Sequence, residues 1–174
     1  MKTIQIFTLL SISFFLSNSL FARPYLDLGY GFTNSHPNSS AREEGHKNLD
    51  FSSYSVSVGS LSGHLGNEFN FHYGYKDNNN FFKHFSYSTI FVLPADDWEV
   101  YFTLGAGILD IQYQEDINSK YQFTIPLGVG FAYYFADRNS VGINYKYYAT
   151  FSDVKINTFI ISYRRYFNLS NKNR

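Results

Sequence analysis

Phe69-Asn70-Phe71-His72-Tyr73-Gly74-Tyr75 carries an aromatic ring at every odd position and a polar residue or glycine at every even one. Successive side chains of a β-strand point to opposite faces, so this stretch has one aromatic face and one polar or empty face. A helix would scatter the same rings around its circumference. The period of two continues in both directions. Leu26, Leu28, Tyr30 and Phe32 alternate with Tyr25, Asp27, Gly29 and Gly31. Ile125, Leu127, Val129, Phe131, Tyr133 and Phe135 alternate with Thr124, Pro126, Gly128, Gly130, Ala132 and Tyr134. Val141, Ile143, Tyr145 and Tyr147 do the same, and Phe159, Ile161 and Tyr163 close the series.

Eight such segments are read, at about 24–32, 50–60, 67–76, 83–93, 98–113, 121–135, 140–151 and 157–167. Three connections carry tight-turn chemistry: 59–66, Pro94-Ala95-Asp96-Asp97 and Ala136-Asp137-Arg138-Asn139. The other four, 33–49, 77–82, 114–120 and 152–156, are polar and are expected to be longer loops at the opposite end. Alternating short and long connections describe an up-and-down antiparallel meander of one domain.

Composition narrows what such a meander can be. With 19 Phe, 16 Tyr and 1 Trp in 174 residues, aromatic side chains make up 21% of the chain. Eight strands enclose a space barely wide enough for side chains, and more than twenty large apolar residues on the majority face would overfill it. The minority face, with Asp27, Ser55, Ser57, Glu68, Asn70, His72 and many glycines, suits a crowded interior. The apolar face therefore turns outward, and a closed barrel satisfies every backbone N–H and C=O in lipid. The expected fold is all-β, an eight-stranded antiparallel up-and-down transmembrane β-barrel over 23–167. Pro126 in mid-strand removes a ladder donor and calls for a bulge.

Met1-Lys2, the apolar run Ile4 to Leu16 and the small-residue stretch ending at Ala22 have the layout of a secretory signal peptide. Residues 1–22 are read as that peptide, cut after Ala22 or, as the alternative, after Ser19. Residues 168–174 form a short polar tail. Fourteen basic and fourteen acidic residues leave no net charge, which argues against a nucleic-acid partner. Without cysteine there is neither a disulfide framework nor a thiolate nucleophile or ligand.

The segments Tyr101 to Ile108, Gly128 to Phe135 and Val141 to Tyr147 resemble the eight-stranded outer-membrane β-barrel superfamily of OmpA-like, OmpX-like and Opa-type proteins. The closing run Phe159 to Phe167 resembles the C-terminal strand signal of such barrels, with Tyr163 and Phe167 in the signal positions. The resemblance implies residence in a bacterial outer membrane, contact with its lipid and lipopolysaccharide, and handling by the barrel-assembly machinery. A monomer is expected. Loops at the outer end would meet any host or surface ligand.

Candidate chemistry is sparse. Asp27, Glu68 and Glu99 against Lys146 and Arg164, with His72 and His84, are expected to form a polar and ionic network across the lumen, and its most economical role is a plug. His84-Phe85-Ser86 resembles in part the His-x-Ser-Asn strand of outer-membrane lipid A deacylases, but Tyr87 stands where that motif has Asn. No catalytic residue, metal or cofactor is therefore expected. A deacylase-like hydrolase using His84 and Ser86, and a narrow channel, remain the alternatives. The 33–49 connection holds His36, Glu43, Glu44 and His46, the best candidates for surface contact; their spacing does not describe a metal site.

Overall fold

The alternation seen in the sequence becomes a closed cylinder in the computed structural model, which describes residues 23–37, 48–113, 116–150 and 154–167, with backbone alone at 113 and 116–120. The strands are β1 Arg23–Pro37, β2 Leu49–Ser62, β3 Leu65–Asp77, β4 Asn80–Ala95, β5 Trp98–Tyr113, β6 Asp116–Ala136, β7 Asn139–Thr150 and β8 Val154–Tyr166. Each pairs antiparallel with its neighbours in sequence. The barrel closes through β1 and β8, in register from Tyr25↔Tyr166 to Pro37↔Val154. At the end of that seam Phe167 N–H donates to the Pro24 carbonyl at 2.8 Å. The signal-peptide reading, Glu43, Glu44, His46 and the 168–174 tail lie outside the described residues.

The apolar face points out. Among the described residues, 31 large apolar or aromatic side chains are exposed by 37–77%. Water would penalise that surface by roughly 25 cal/mol per Å², whereas acyl chains do not. Ring pairs lie along the outer wall, as in Tyr30 with Tyr54 (centroids 5.2 Å apart) and Trp98 stacked on Phe131 (5.7 Å).

Two features differ from the sequence reading. First, the strands run further at the end away from Arg23 and Phe167. The 77–82 connection is a two-residue turn in which Asp77 accepts the Asn79 N–H (3.0 Å) and the Asn80 amide (2.8 Å). Those bonds hold the Asp77 carboxyl below the usual carboxylate range, so their support is present above that range and lost in acid. β6 takes in most of 114–120, β8 starts at Val154, and His36 lies in β1 opposite Lys155 rather than in a loop. Only the connection after Pro37 is long.

The physical reason is that the two faces exchange chemistry near this end. Outward positions become polar at Asn34, Ser52, Lys83, Asp110 and Asn157. Inward positions become apolar, and Leu49, Phe51, Phe82, Leu109, Ile111, Tyr148, Val154 and Ile156 form a buried cluster. This part of the barrel is built as a water-soluble protein is, so its strands persist beyond the apolar band.

Second, Pro126 does not produce a bulge. The β5–β6 pairing passes from Leu104↔Leu127 to Gly107↔Thr124 in unchanged register, with the two intervening pairs open. On its other side Pro126 stays paired with Tyr148. The missing N–H costs ladder bonds locally and leaves the register intact.

Candidate functional site: a polar lumen between two apolar plugs

Seven residues singled out in the sequence, Asp27, Glu68, His72, His84, Glu99, Lys146 and Arg164, are all buried on the inner wall. Strand alternation puts them there, and the barrel registry decides which of them meet.

Arg164 on β8 is the hub. Its Nε donates to Asp27 Oδ2 on neighbouring β1 at 3.0 Å, and its Nη1 donates to Glu99 Oε1 on β5, across the lumen, at 3.3 Å. The guanidinium carbon sits 4.4 Å from the Tyr25 ring centroid and 5.1 Å from that of Tyr101, between the two faces. Tyr134 donates to Glu99 Oε2 at 2.5 Å and lies 3.0 Å from the Tyr166 hydroxyl. Ser162 donates to Asp27 at 3.3 Å.

A second group spans β3 and β7. Lys146 Nζ donates to Glu68 Oε1 at 3.1 Å, and the Tyr25 hydroxyl donates to Glu68 Oε2 at 3.0 Å. Tyr25 thereby touches both groups. Removing one partner from such buried pairs costs about 3–5 kcal/mol, because an uncompensated charge is left behind.

The histidines stand apart from the ion pairs. His72 and His84 are direct cross-strand neighbours. His72 Nδ1 lies 3.0 Å from the Tyr148 hydroxyl, and His84 Nε2 lies 2.8 Å from Thr124 Oγ1. The His84 ring meets Tyr148 edge-on at 4.3 Å. Ser86 is also buried on the inner wall. This pair therefore faces away from the lipid that a deacylase must reach. Among the described residues no three His, Asp or Glu side chains gather as a metal-binding group.

Apolar side chains are buried toward both ends of the lumen. Toward the termini, Tyr25, Leu61, Ile90, Val92, Tyr101, Ala132 and Tyr166 form an apolar cluster. At the other end lies the cluster around Phe51 and Phe82, whose rings meet edge-on at 5.2 Å. Between that cluster and the polar middle, Ser53 donates to Thr33 at 2.7 Å and Thr33 pairs with Thr158 at 2.8 Å. The plugs and the partner tyrosines Tyr101, Tyr134, Tyr148 and Tyr166 were not singled out from the sequence. Their phase on the minority face, as at Tyr25 and Tyr134, was the available signal. Among the surface candidates, His36 is half-buried on the outer wall; Tyr163 is exposed toward lipid on β8, and Phe167 follows that strand.

Known proteins share this architecture. The barrel superposes on Neisserial surface protein A with a TM-score of 0.62 and 16% identity, covering 83% of this chain and 97% of that one. The attachment invasion locus protein Ail of Yersinia pestis gives a TM-score of 0.62 and 16% identity over 84% of this chain and 99% of its own. The outer membrane enzyme PagL gives 0.50 and 12% identity over 81% and 98%. At such identities the likeness is one of fold. No curated protein matches in sequence. Residues 7–167, however, match the family described as outer membrane protein beta-barrel domain. The chain belongs to that family and is an eight-stranded antiparallel β-barrel of the bacterial outer membrane.

Proposed function

We propose that this barrel is a non-catalytic structural element of the outer membrane that carries its long 38–48 connection at the cell surface for interaction. The observation that supports this most is the buried, ion-paired lining of the lumen. Apolar clusters are buried toward both ends, and each of the five lumen charges has an opposite partner at 3.0–3.3 Å. A conduit needs a continuous polar path, and a hydrolase needs its nucleophile within reach of substrate. His84 and Ser86 are buried inward and His84 is engaged with Thr124. The fold relatives include proteins described as a surface protein and an attachment invasion locus protein, in keeping with a role for the surface end.

Reconstituted in planar bilayers, the purified protein is expected to give no discrete conductance steps. Incubated with lipid A, it is expected to leave every acyl chain in place by mass spectrometry, and the His84→Ala/Ser86→Ala variant should be indistinguishable from it. Conductance steps would favour the channel, and loss of an acyl chain that requires His84 and Ser86 would favour the hydrolase. For the surface role, cells displaying the protein should bind host-cell monolayers, and replacing 38–47 with a Gly-Ser linker should abolish this while the barrel still folds. Equal binding with the linker would contradict that role.

A further inference from the structure

The five lumen charges all have opposite partners, but two buried imidazoles beside them do not. His72 of β3 and His84 of β4 are direct cross-strand neighbours, at 0% and 1% exposure. Each is joined to a neutral hydroxyl on another strand, His72 to Tyr148 of β7 at 3.0 Å and His84 to Thr124 of β6 at 2.8 Å. Their rings form the floor of the outer apolar cluster. His72 meets Phe82 edge-on at 4.9 Å, and His84 meets Tyr148 edge-on at 4.3 Å, both of them members of that cluster. The other surroundings are neutral. Ser55 of β2 stands opposite His72, Leu109 of β5 stands opposite His84, and a Cβ on Gly107 would lie 2.7 Å from His84 Nε2. The titratable groups facing the pair are Tyr148 and, further along β7, Lys146, whose charge acts on both rings. Glu68 of β3 is taken up by Lys146 and Tyr25. Among the described residues neither ring has a carboxylate partner.

We propose that His72 and His84 form an acid-sensitive latch, which holds the outer end of the barrel together while both rings are uncharged and releases it when they take up protons. Uncharged, the pair bonds to Tyr148 and Thr124 and packs under Phe82. A proton on either ring creates a buried cation beside a second imidazole and the Lys146 ammonium, with no anion to offset it. In an opened chain the same imidazoles are solvated and titrate at about 6.5. Opening in acid therefore takes up two protons. By linkage, the latch is fully effective above that pH and is lost as the pH falls below it, by up to about a hundredfold in the closing equilibrium per pH unit.

Hydrogen–deuterium exchange of the protein refolded in lipid nanodiscs tests the latch, compared at about pH 7.5 and about pH 5 after correction for intrinsic rates. Protection at 82–84, 109–111 and 148 should fall by on the order of a thousandfold in acid, while protection around Arg164 changes little. The His72→Asn/His84→Gln variant puts in amides that can bond the Tyr148 and Thr124 hydroxyls without titrating, and it should lose that fall. Undiminished protection in the wild type, or an equal fall in the variant, overturns the latch. A fall spread evenly as far as Arg164 overturns its placement at the outer end. If the variant does not fold, nitrogen NMR of the wild-type imidazoles in acid decides. Neutral rings at His72 and His84 in the folded barrel support the latch, and charged rings in an intact fold overturn it.

Discussion

Arg164→Met is expected to abolish or severely weaken the folded barrel. The substitution keeps much of the side-chain bulk between Tyr25 and Tyr101 but leaves Asp27 and Glu99 as two buried carboxylates around a lost cation. Breaking a buried pair in this way costs about 3–5 kcal/mol, and here one cation serves two carboxylates. The urea midpoint of the protein refolded in phospholipid vesicles measures the loss, and heat-modifiable gel mobility reports how much folded barrel remains. The mechanism makes a second demand. Adding Asp27→Asn and Glu99→Gln to Arg164→Met should restore most of the midpoint, because the stranded charges are then gone. If Arg164→Met alone leaves the midpoint unchanged, the hub role assigned to Arg164 fails.

Gly31→Val is expected to prevent closure of the barrel. A Cβ at Gly31 would lie 1.8 Å from the Phe159 carbonyl oxygen and 2.8 Å from the Ile160 Cα, both backbone atoms of β8. A flexible side chain could swing aside, but the neighbouring strand cannot move without breaking the β1–β8 ladder. The refolded variant should show no shift in heat-modifiable mobility, and assembly in cells should stall. Gly142→Ala is the control. Its Cβ would meet the Phe131 carbonyl oxygen, also a backbone atom, at 2.8 Å and everything else at 3.4 Å or more, so it should lower the folded fraction by less than Gly31→Val does. Wild-type mobility for Gly31→Val would show that the seam is looser than described.

The residues that made the fold legible are those for which one local rule suffices. Phe69 to Tyr75 needs only the two-residue period to be placed in a strand, and ring crowding then turns its aromatic face outward. The same period put Asp27, Glu68, Glu99, Lys146 and Arg164 on the inner wall. Which of them meet was not legible, because partnering across the lumen depends on the stagger accumulated around all eight strands. Glu99 of β5 and Arg164 of β8 are 65 residues apart and join only when the cylinder is closed.

The upper rim failed for another reason. Asn34 on the outer face with Leu49, Phe82, Val154 and Ile156 on the inner one, all outside the segments read as strands, invert the pattern of the band below. Read by polarity alone, that inversion looks like the end of a strand. Pro126 misled in the opposite direction, since losing two ladder pairs proved sufficient and no extra residue was inserted.

The central claim is that the aromatic face meets acyl chains and the polar face is sealed inside. The chain has no cysteine, so single cysteines can be placed along β6 from 123 to 133, spin-labelled and read by EPR in vesicles. Odd positions from Phe123 to Tyr133 should collide freely with oxygen dissolved in the lipid and hardly at all with a water-soluble nickel chelate. Even positions from Thr124 to Ala132 should be shielded from both. Shielded odd positions with even ones open to the chelate would mean that the barrel is turned inside out relative to this account.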